Sequence, residues 1–418
     1  MSKATDYCIK VFDGTHTTPK PTKKGYRLLT SKNIMDGYLD KTDSYFISEE
    51  DYISINKRSR VKKWDVLFGM IGTVGNVCII TDDKIDYAIK NMGVFSCEDE
   101  YKAKWLYFYL KSPYVKKLNQ NYLNGAIQKF LPLGYLRDLE IPDFTPDKIK
   151  VVDFLWSLEE KIRVNNKIDA ELDKYLKEVF SLWFISYDFP NEEGKPYKSN
   201  GGSMIWNDLL QKKIPENWAA EKVGERINVI RGVSFNPDDT VEKKTDGFVQ
   251  LLKSNNIQND RVNFDNIVSV KKDLVSEDQY LTKGSIFVTM SSGSTAHVGK
   301  TAIIFYDMPY CFGAFCSKIE IQNDYQSFIA SYFNSELFKT TIRTIVSGTS
   351  IKNISNNHLT DNVLAFPDKK TLRLFDDIYF PIFNERGNLQ RQNIALKEEF
   401  EYYLVLLMNN QATFNEDL

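Results

Sequence analysis

The stretch TKGSIFVTMSSGSTAHVGKTAII, Thr282 to Ile304, decides how the chain folds. Its Gly-Lys-Thr follows a glycine-bearing run and invites comparison with a phosphate cradle. A P-loop places four residues between its first glycine and the Gly-Lys, so that successive backbone N–H groups converge on a phosphate at a helix start. Here five residues separate Gly293 from Gly299, and Lys300 and Thr301 lead into Ala-Ile-Ile-Phe-Tyr, an apolar β-branched run that reads as a strand. The stretch predicts strand, loop, strand. A nucleotide-binding enzyme using the GSTAHVGKT loop is the alternative.

An earlier stretch settles the preference. KKWDVLFGMIGTVGNVCII (62–80) has the same pattern with no lysine in its loop, so a phosphate-binding lysine is not what the pattern requires. The echo extends in both directions. YCIKVFDG (7–14) matches RINVIRGV (226–233), with Gly14 opposite Gly232, and GYRLLTSKNI (25–34) matches GFVQLLKSNNI (247–257), aligning Ser31–Ile34 with Ser254–Ile257. NMGVFSC (91–97) aligns with CFGAFCS (311–317), and NGAIQKFLPLGYLRDLEIP (124–142) with SGTSIKNISNNHLTDNVLAFP (347–367). Each copy reads as a β-rich α/β unit punctuated by Gly, Asn and Asp turns, with a helix near 104–119 or 327–343.

A long helix follows each copy. Thr145-Pro146-Asp147 is a start signal, with Thr145 placed to cap, Pro146 at the first helical position and Asp147 against the positive end of the dipole. Apolar residues then recur at Leu158, Ile162, Ile168, Leu172, Tyr175, Val179 and Trp183. In the second copy Pro381 and Gly387 interrupt an earlier helical stretch, after which Leu389, Asn393, Leu396, Phe400, Tyr403 and Leu407 follow the 4, 3, 4, 3, 4 steps of a coiled coil. Asn165 and Asn393 fall on these seams, where a polar residue fixes register. The fold class expected is α+β: two β-rich α/β domains in pseudo-two-fold repeat, separated by two long helices forming an antiparallel coiled coil. The domains are 1–142, first helix 143–190, linker 191–212, second domain 213–367, second helix 368–410 and tail 411–418.

Composition bounds the function. The 418 residues carry a formal net charge of -2, so no global basic excess announces a nucleic acid. Residues 1–140 are locally basic, with 22 Lys+Arg against 17 Asp+Glu. Residues 213–365 are nearly balanced, 16 against 17, so phosphate affinity there is expected from partner subunits. The five cysteines form no C-x-x-C pair, and three scattered histidines are poor material for general acid-base work. No metal site is expected, and no run approaches a membrane span. The start of the chain has no apolar leader, and a cytoplasmic location is expected. The nearest approach to an adenine-methyltransferase base-holding loop, Asn236-Pro237-Asp238, lacks its second proline and its aromatic. A helix of about 35 residues spans about 52 Å, and 13–15 base pairs span about 44–51 Å. Two reading domains on such a rod suit a split DNA target.

DGTHTTPK (13–20), LLTSKNIMDGYLD (28–40), DVLFGMIGTVGNVCII (65–80), GAIQKFL (125–131), IPENW (214–218) and the duplicated helices resemble, in that order, the DNA-specificity (S) subunit of type I restriction-modification enzymes. The resemblance covers essentially the whole chain. It implies two target recognition domains, each binding one half of a split, asymmetric site on double-stranded DNA, and helices that set the spacing. It further implies docking of two methyltransferase (M) subunits that bind S-adenosylmethionine, and of restriction/translocase (R) subunits. The chain itself is then expected to hold no cofactor, no metal and no catalytic residue.

Polar loop residues are the candidate DNA contacts. In the first copy they are His16, Thr17, Lys20, Lys32, Asn33, Gln128 and Lys129; in the second, Arg231, Ser254, Asn255, Asn256, Lys300, Thr349, Ser350, Lys352 and Asn353. Asn pairs bidentately with adenine and Lys with guanine or phosphate, while Asn in turns also serves the backbone. His16 equally suits a loop brace through Asp13 and Thr15, and Lys300 a solvated loop. The aromatic ends, Phe180–Phe184 and Tyr402-Tyr403, read either as core where helix meets domain or as a methyltransferase-docking surface.

Overall fold

The structure is a computed structural model, described over residues 1–35, 37–42, 44–124, 129–242, 245–347, 353–409 and 411–412. It divides into two compact units that share both long helices: Met1–Val164 with Gln392–Leu418, and Asn165–Arg391. Each unit has apolar cores of its own.

In the first unit four antiparallel strands run in the order Lys10–Asp13, Met92–Ser96, Asp65–Gly69, Val77–Ile79. A second sheet sets Tyr26–Thr30 between Tyr45–Ile47 and a parallel partner, Tyr87–Lys90. The second unit repeats the plan. Its strands run Ile227–Arg231, Cys316–Ile321, Ile286–Thr289, Thr301–Ile303, and Phe248–Leu252 pairs parallel with Tyr310–Phe312. The sequence repeat is therefore a repeat of topology. Its decisive stretches read as unbroken apolar runs because both faces of each sheet are covered. Val66 and Phe68 enter one core while Leu67 enters another, as do Ile286 and Val288 against Phe287.

Backbone hydrogen bonds fix the correspondence between copies. Gly14 N donates to Met92 O and Gly232 N to Cys316 O, so Met92 and Cys316 hold equivalent places. The alignment of 91–97 with 311–317 thus slips by four residues. The second copy inserts extra chain around Gly313–Phe315, which a single sequence shows only as two similar glycine-centred strings. Gly14 and Gly232 mark where two sheets press together. A Cβ on Gly232 would lie 2.3 Å from Gly313 O and 2.4 Å from Phe312 O, and one on Gly14 would lie 2.7 Å from Ile89 O. Backbone cannot retreat as a side chain can. Gly232→Ala should therefore destabilise the second unit by roughly 2–3 kcal/mol, read from its denaturant midpoint against wild type.

The first long helix spans Ile149–Phe180, entered through a 3₁₀ turn at Pro146–Lys148 and leaving through a π turn at Ser181–Ile185. Thr145 does not cap it by side chain. Its hydroxyl instead bonds Asp147, whose carboxyl is held below its ordinary range by that bond first. The second long helix is continuous over Lys369–Met408 with Pro381 inside it, so neither Pro381 nor Gly387 interrupts it. Pro381 is exposed, leaving the freed carbonyl to water. Gly387 lets the helix press against Phe305, whose Cβ would lie 3.1 Å from an added methyl.

The two helices pair within each unit. In the first, Val151, Leu155 and Leu158 share a core with Phe400, Leu404 and Leu407, and the rings of Phe154 and Tyr403 meet edge to face at 5.0 Å. In the second, Leu176, Phe180 and Trp183 pack with Leu372, Phe375, Tyr379 and Phe383. The start of one helix meets the end of the other, an antiparallel coiled coil. Ile162, Leu172, Asn393, Leu396 and Tyr403 are half-buried, and Asn165 and Leu389 are buried. Ile168 and Tyr175 are exposed, which corrects the first seam. Beyond Asn165 the buried positions are Asp169, Leu176 and Phe180, with Val179 at the rim. Apolar periodicity chose Ile168 because the residue that belongs there, Asp169, is charged.

The 191–212 segment is not a bare linker. Asn191 caps a turn through Glu193 N and Lys195 N, Phe189 stacks on Tyr197, and Met204–Asn207 forms a hairpin with Lys212–Pro215. The five cysteines are free and buried, and among the described residues no helix is long and apolar enough to cross a membrane.

Candidate nucleic-acid interface

The Ser31–Asn33 and Ser254–Asn256 turns are built alike. Asn33 Oδ1 accepts from Thr30 N at 2.8 Å, and Nδ2 donates to Asp40 O at 2.9 Å. Asn256 Oδ1 accepts from Lys253 N at 2.8 Å, and Nδ2 donates to Asn263 O and Asp265 O at 2.8 and 2.9 Å. Both asparagines are buried. This corrects two candidates: Asn33 and Asn256 shape the loops and do not face a duplex. Asn256→Ala leaves buried backbone groups without partners and should cost roughly 2–3 kcal/mol in a denaturation midpoint measurement. Their neighbours Lys32 and Asn255 are exposed and Ser254 is half-buried.

These turns lie at the hub of a loop edge. In the first unit Asn91, in the left-handed region at φ 54°, links three segments. Its side chain bonds His16 Nδ1 at 2.9 Å, its N–H donates to Thr15 O, and its carbonyl accepts from Ser31 Oγ at 2.7 Å. Thr73 Oγ1 donates to Ser31 O, tying in the glycine-bearing loop, and Ile71 bridges to Phe130 beside Lys129. Thus His16, Thr17, Lys20, Lys32 and Lys129, distant in sequence, are carried by one linked set of loops, and all five are exposed. His16 has its bracing role too: Nε2 meets Asp13 Oδ2 at 2.9 Å, while Arg58 Nη2 donates to Asp13 Oδ1 at 2.8 Å. Sequence reading missed Asn91, Arg58 and Thr73. Only Asn91 left a trace, an Asn-Met-Gly at a strand boundary where a left-handed residue is favoured.

The second unit links equivalent loops. Ala314 N donates to Val233 O, Gly313 N to Leu252 O just before the Ser254 turn, and Met290 N and Ser291 N both donate to Phe315 O. Ser291 bridges to Asn353. Arg231 and Asn353 are exposed. Gln128, Thr349, Ser350 and Lys352 lie outside the described residues. Lys300 ends the GSTAHVGKT loop, with Nζ 2.9 Å from His297 Nδ1, and burial lowers its pKa against the pull of Asp260. The loop joins two antiparallel strands, and Thr301 is buried, donating its hydroxyl to Phe333 O at 2.9 Å. A phosphate cradle requires that hydroxyl free at a helix start. The strand-loop-strand reading is the structural one.

Each loop edge is anchored to a long helix by a hairpin following its turn. In the first unit Gly37 sits so close to the helix that a Cβ would meet Tyr107 Oη at 2.7 Å and the Glu159 carboxylate at 3.0 Å. In the second the equivalent tip residue is Asp260, whose carboxylate takes Lys177 at 2.8 Å and Lys339 at 2.6 Å. Next to it Arg261 Nη2 reaches Asp169 Oδ2 at 2.7 Å. Arg386, buried on the other helix, completes the cluster through Nε to Asp169 and Nη1 to Asp173, both 2.6 Å. Phe180 and Phe184 belong to the core of their unit, whereas Tyr402 is exposed.

Such an arrangement defines a duplicated α+β protein with two equivalent polar loop edges, each tied to the same pair of helices. Parts of its sequence are similar to those of curated relatives. It is 34% identical over 143 residues to the type I restriction enzyme EcoKI specificity subunit of Escherichia coli K12, and 32% identical over 143 residues to the StySPI specificity subunit of Salmonella potsdam. The matched stretch covers 34% of this chain and 31% of each of those proteins. A third, the MjaIX specificity subunit of Methanocaldococcus jannaschii, is 24% identical over 312 residues, 72% of this chain and 67% of that protein. The type I restriction-modification S subunit from M. genitalium has the same fold, with a TM-score of 0.51 at 15% identity over 95% of this chain and 93% of that one. No family model matches the chain. In sequence and in fold, then, this chain is similar to type I restriction enzyme specificity subunits.

Proposed function

We propose that this chain is the DNA-recognition subunit of a type I restriction-modification assembly. The observation that carries the reading is the twinned loop edge, built on one strand order in both units and found in a chain whose relatives are specificity subunits. Each edge reads one half of a split target on double-stranded DNA. Exposed His16, Thr17, Lys20, Lys32 and Lys129, with Gln128, serve the first half; Arg231, Ser254, Asn255, Lys300 and Asn353, with Thr349, Ser350 and Lys352, serve the second. A helix of 32 residues is about 48 Å long, the length of about 14 base pairs at ~3.4 Å each, which supports a fixed spacer between the halves.

Catalysis then belongs to partners. Two methyltransferase subunits, carrying S-adenosylmethionine, dock on the helices, and restriction/translocase subunits join them in the cytoplasm. Partner subunits also supply the phosphate affinity that the near-neutral second copy lacks. The test is coexpression with those methyltransferase subunits. The purified complex should transfer methyl groups to DNA while the chain alone transfers none; a chain that binds no methyltransferase subunit, or methylates by itself, refutes the proposal.

A further inference from the structure

Phe315 is 68% exposed, more than any other large apolar residue among those described. Scattered surface apolar residues are ordinary, but this one is not on a loose loop. Its carbonyl accepts from both Met290 N and Ser291 N at 2.9 and 3.0 Å. On one side Ala314 N donates to Val233 O at 2.9 Å, and on the other Cys316 N donates to Gly313 O at 2.8 Å. Every segment it is tied to carries a proposed DNA contact: Arg231 two residues before Val233, and Asn353 bridged to Ser291. The first unit places Asn91 at the corresponding exit from its sheet, a polar hub bonded to His16. The second copy inserts extra chain there and spends it on an aromatic ring aimed at solvent.

Resting on the DNA-reading function proposed above, we infer that Phe315 is a specificity-determining residue for the second half of the target, its ring packing on the 5-methyl group of a thymine in the major groove. A thymine methyl is the one apolar mark on that groove's edge. The hydrogen-bonded backbone on either side of Phe315 presents the ring from a fixed point of the edge, which lowers the ordering cost of such a contact. The polar side chains of the surrounding loops, rich in Ser, Asn and Lys, contribute hydrogen bonds.

The experiment uses the full chain with its methyltransferase partners and a duplex carrying the motif mapped for the wild-type complex. Replacing each thymine of the second half singly by deoxyuridine should weaken wild-type binding about 5- to 50-fold at one position. Phe315→Ala should weaken binding to the unmodified duplex by a similar factor and be insensitive to that same replacement, while Phe315→Leu retains some of the sensitivity. Three outcomes overturn the inference: wild-type binding indifferent to every replacement, a Phe315→Ala variant still sensitive to it, or a variant that reads the motif normally but no longer holds its methyltransferase subunits. If instead the wild-type complex methylates no split motif, it is the DNA-reading function that has failed.

Discussion

Replacing Arg386 with alanine should destabilise the second unit by about 3–5 kcal/mol, the range for removing one partner of a buried ion pair. The guanidinium is 2% exposed and forms two close bonds, to Asp169 and Asp173. Its loss leaves Asp169 buried with only Arg261, and Asp173 with Lys177 and Asn334. Denaturant unfolding followed by the fluorescence of Trp183 and Trp218, both in that unit's core, measures the change. A cost under about 1 kcal/mol would mean that the pair behaves as a surface pair. Acid should act on the same cluster. Burial alone pushes the Asp173 carboxyl up, but Arg386 and Lys177 outweigh it and hold it at about 2. The folded value lies below the unfolded value of about 3.9, so the stabilisation is present above that pH and is lost as the pH falls toward 2, about 2 kcal/mol in all. Asp173→Asn should flatten that limb of the profile.

If the proposed function holds, exchanging residues 1–142 for the corresponding stretch of one of the specificity subunits that the chain resembles should change one half of the recognised motif completely and leave the other half and the spacer untouched. The exchanged stretch holds the whole first loop edge, from His16 to Lys129, and both sheets beneath it. It stops before the helix that begins at Ile149. Its main helix-facing hairpin meets Tyr107, which travels with it, and Glu159, which does not, so the donor must keep a small residue at position 37. Methylation mapping of the hybrid complex reads the result. Changes in both halves would show that the two units do not read independently.

The repeat was legible because topology and turn chemistry are written locally. Ser31-Lys32-Asn33-Ile34 and Ser254-Asn255-Asn256-Ile257 occupy the same turn in both copies, and the glycine-bearing loop without a lysine disposed of the phosphate cradle. What stayed hidden depended on distant partners. Nothing near Asp169 in sequence announces Arg261 and Arg386, so a rule that seats apolar residues on the seam chose Ile168. Asn33 and Asn256 looked like contacts because a polar residue in a turn reads the same whether it serves the duplex or the backbone. Phe315 escaped notice for the opposite reason: an apolar residue between strands reads as core until the fold shows it standing in solvent.

Genome-wide mapping of methylated adenines in cells expressing this chain with the methyltransferase subunits proposed as its partners tests the twin reading edges most directly. The account predicts a single split motif, two defined halves separated by a constant number of unspecified base pairs. An uninterrupted motif, a spacer of varying length, or methylation without sequence preference would contradict it.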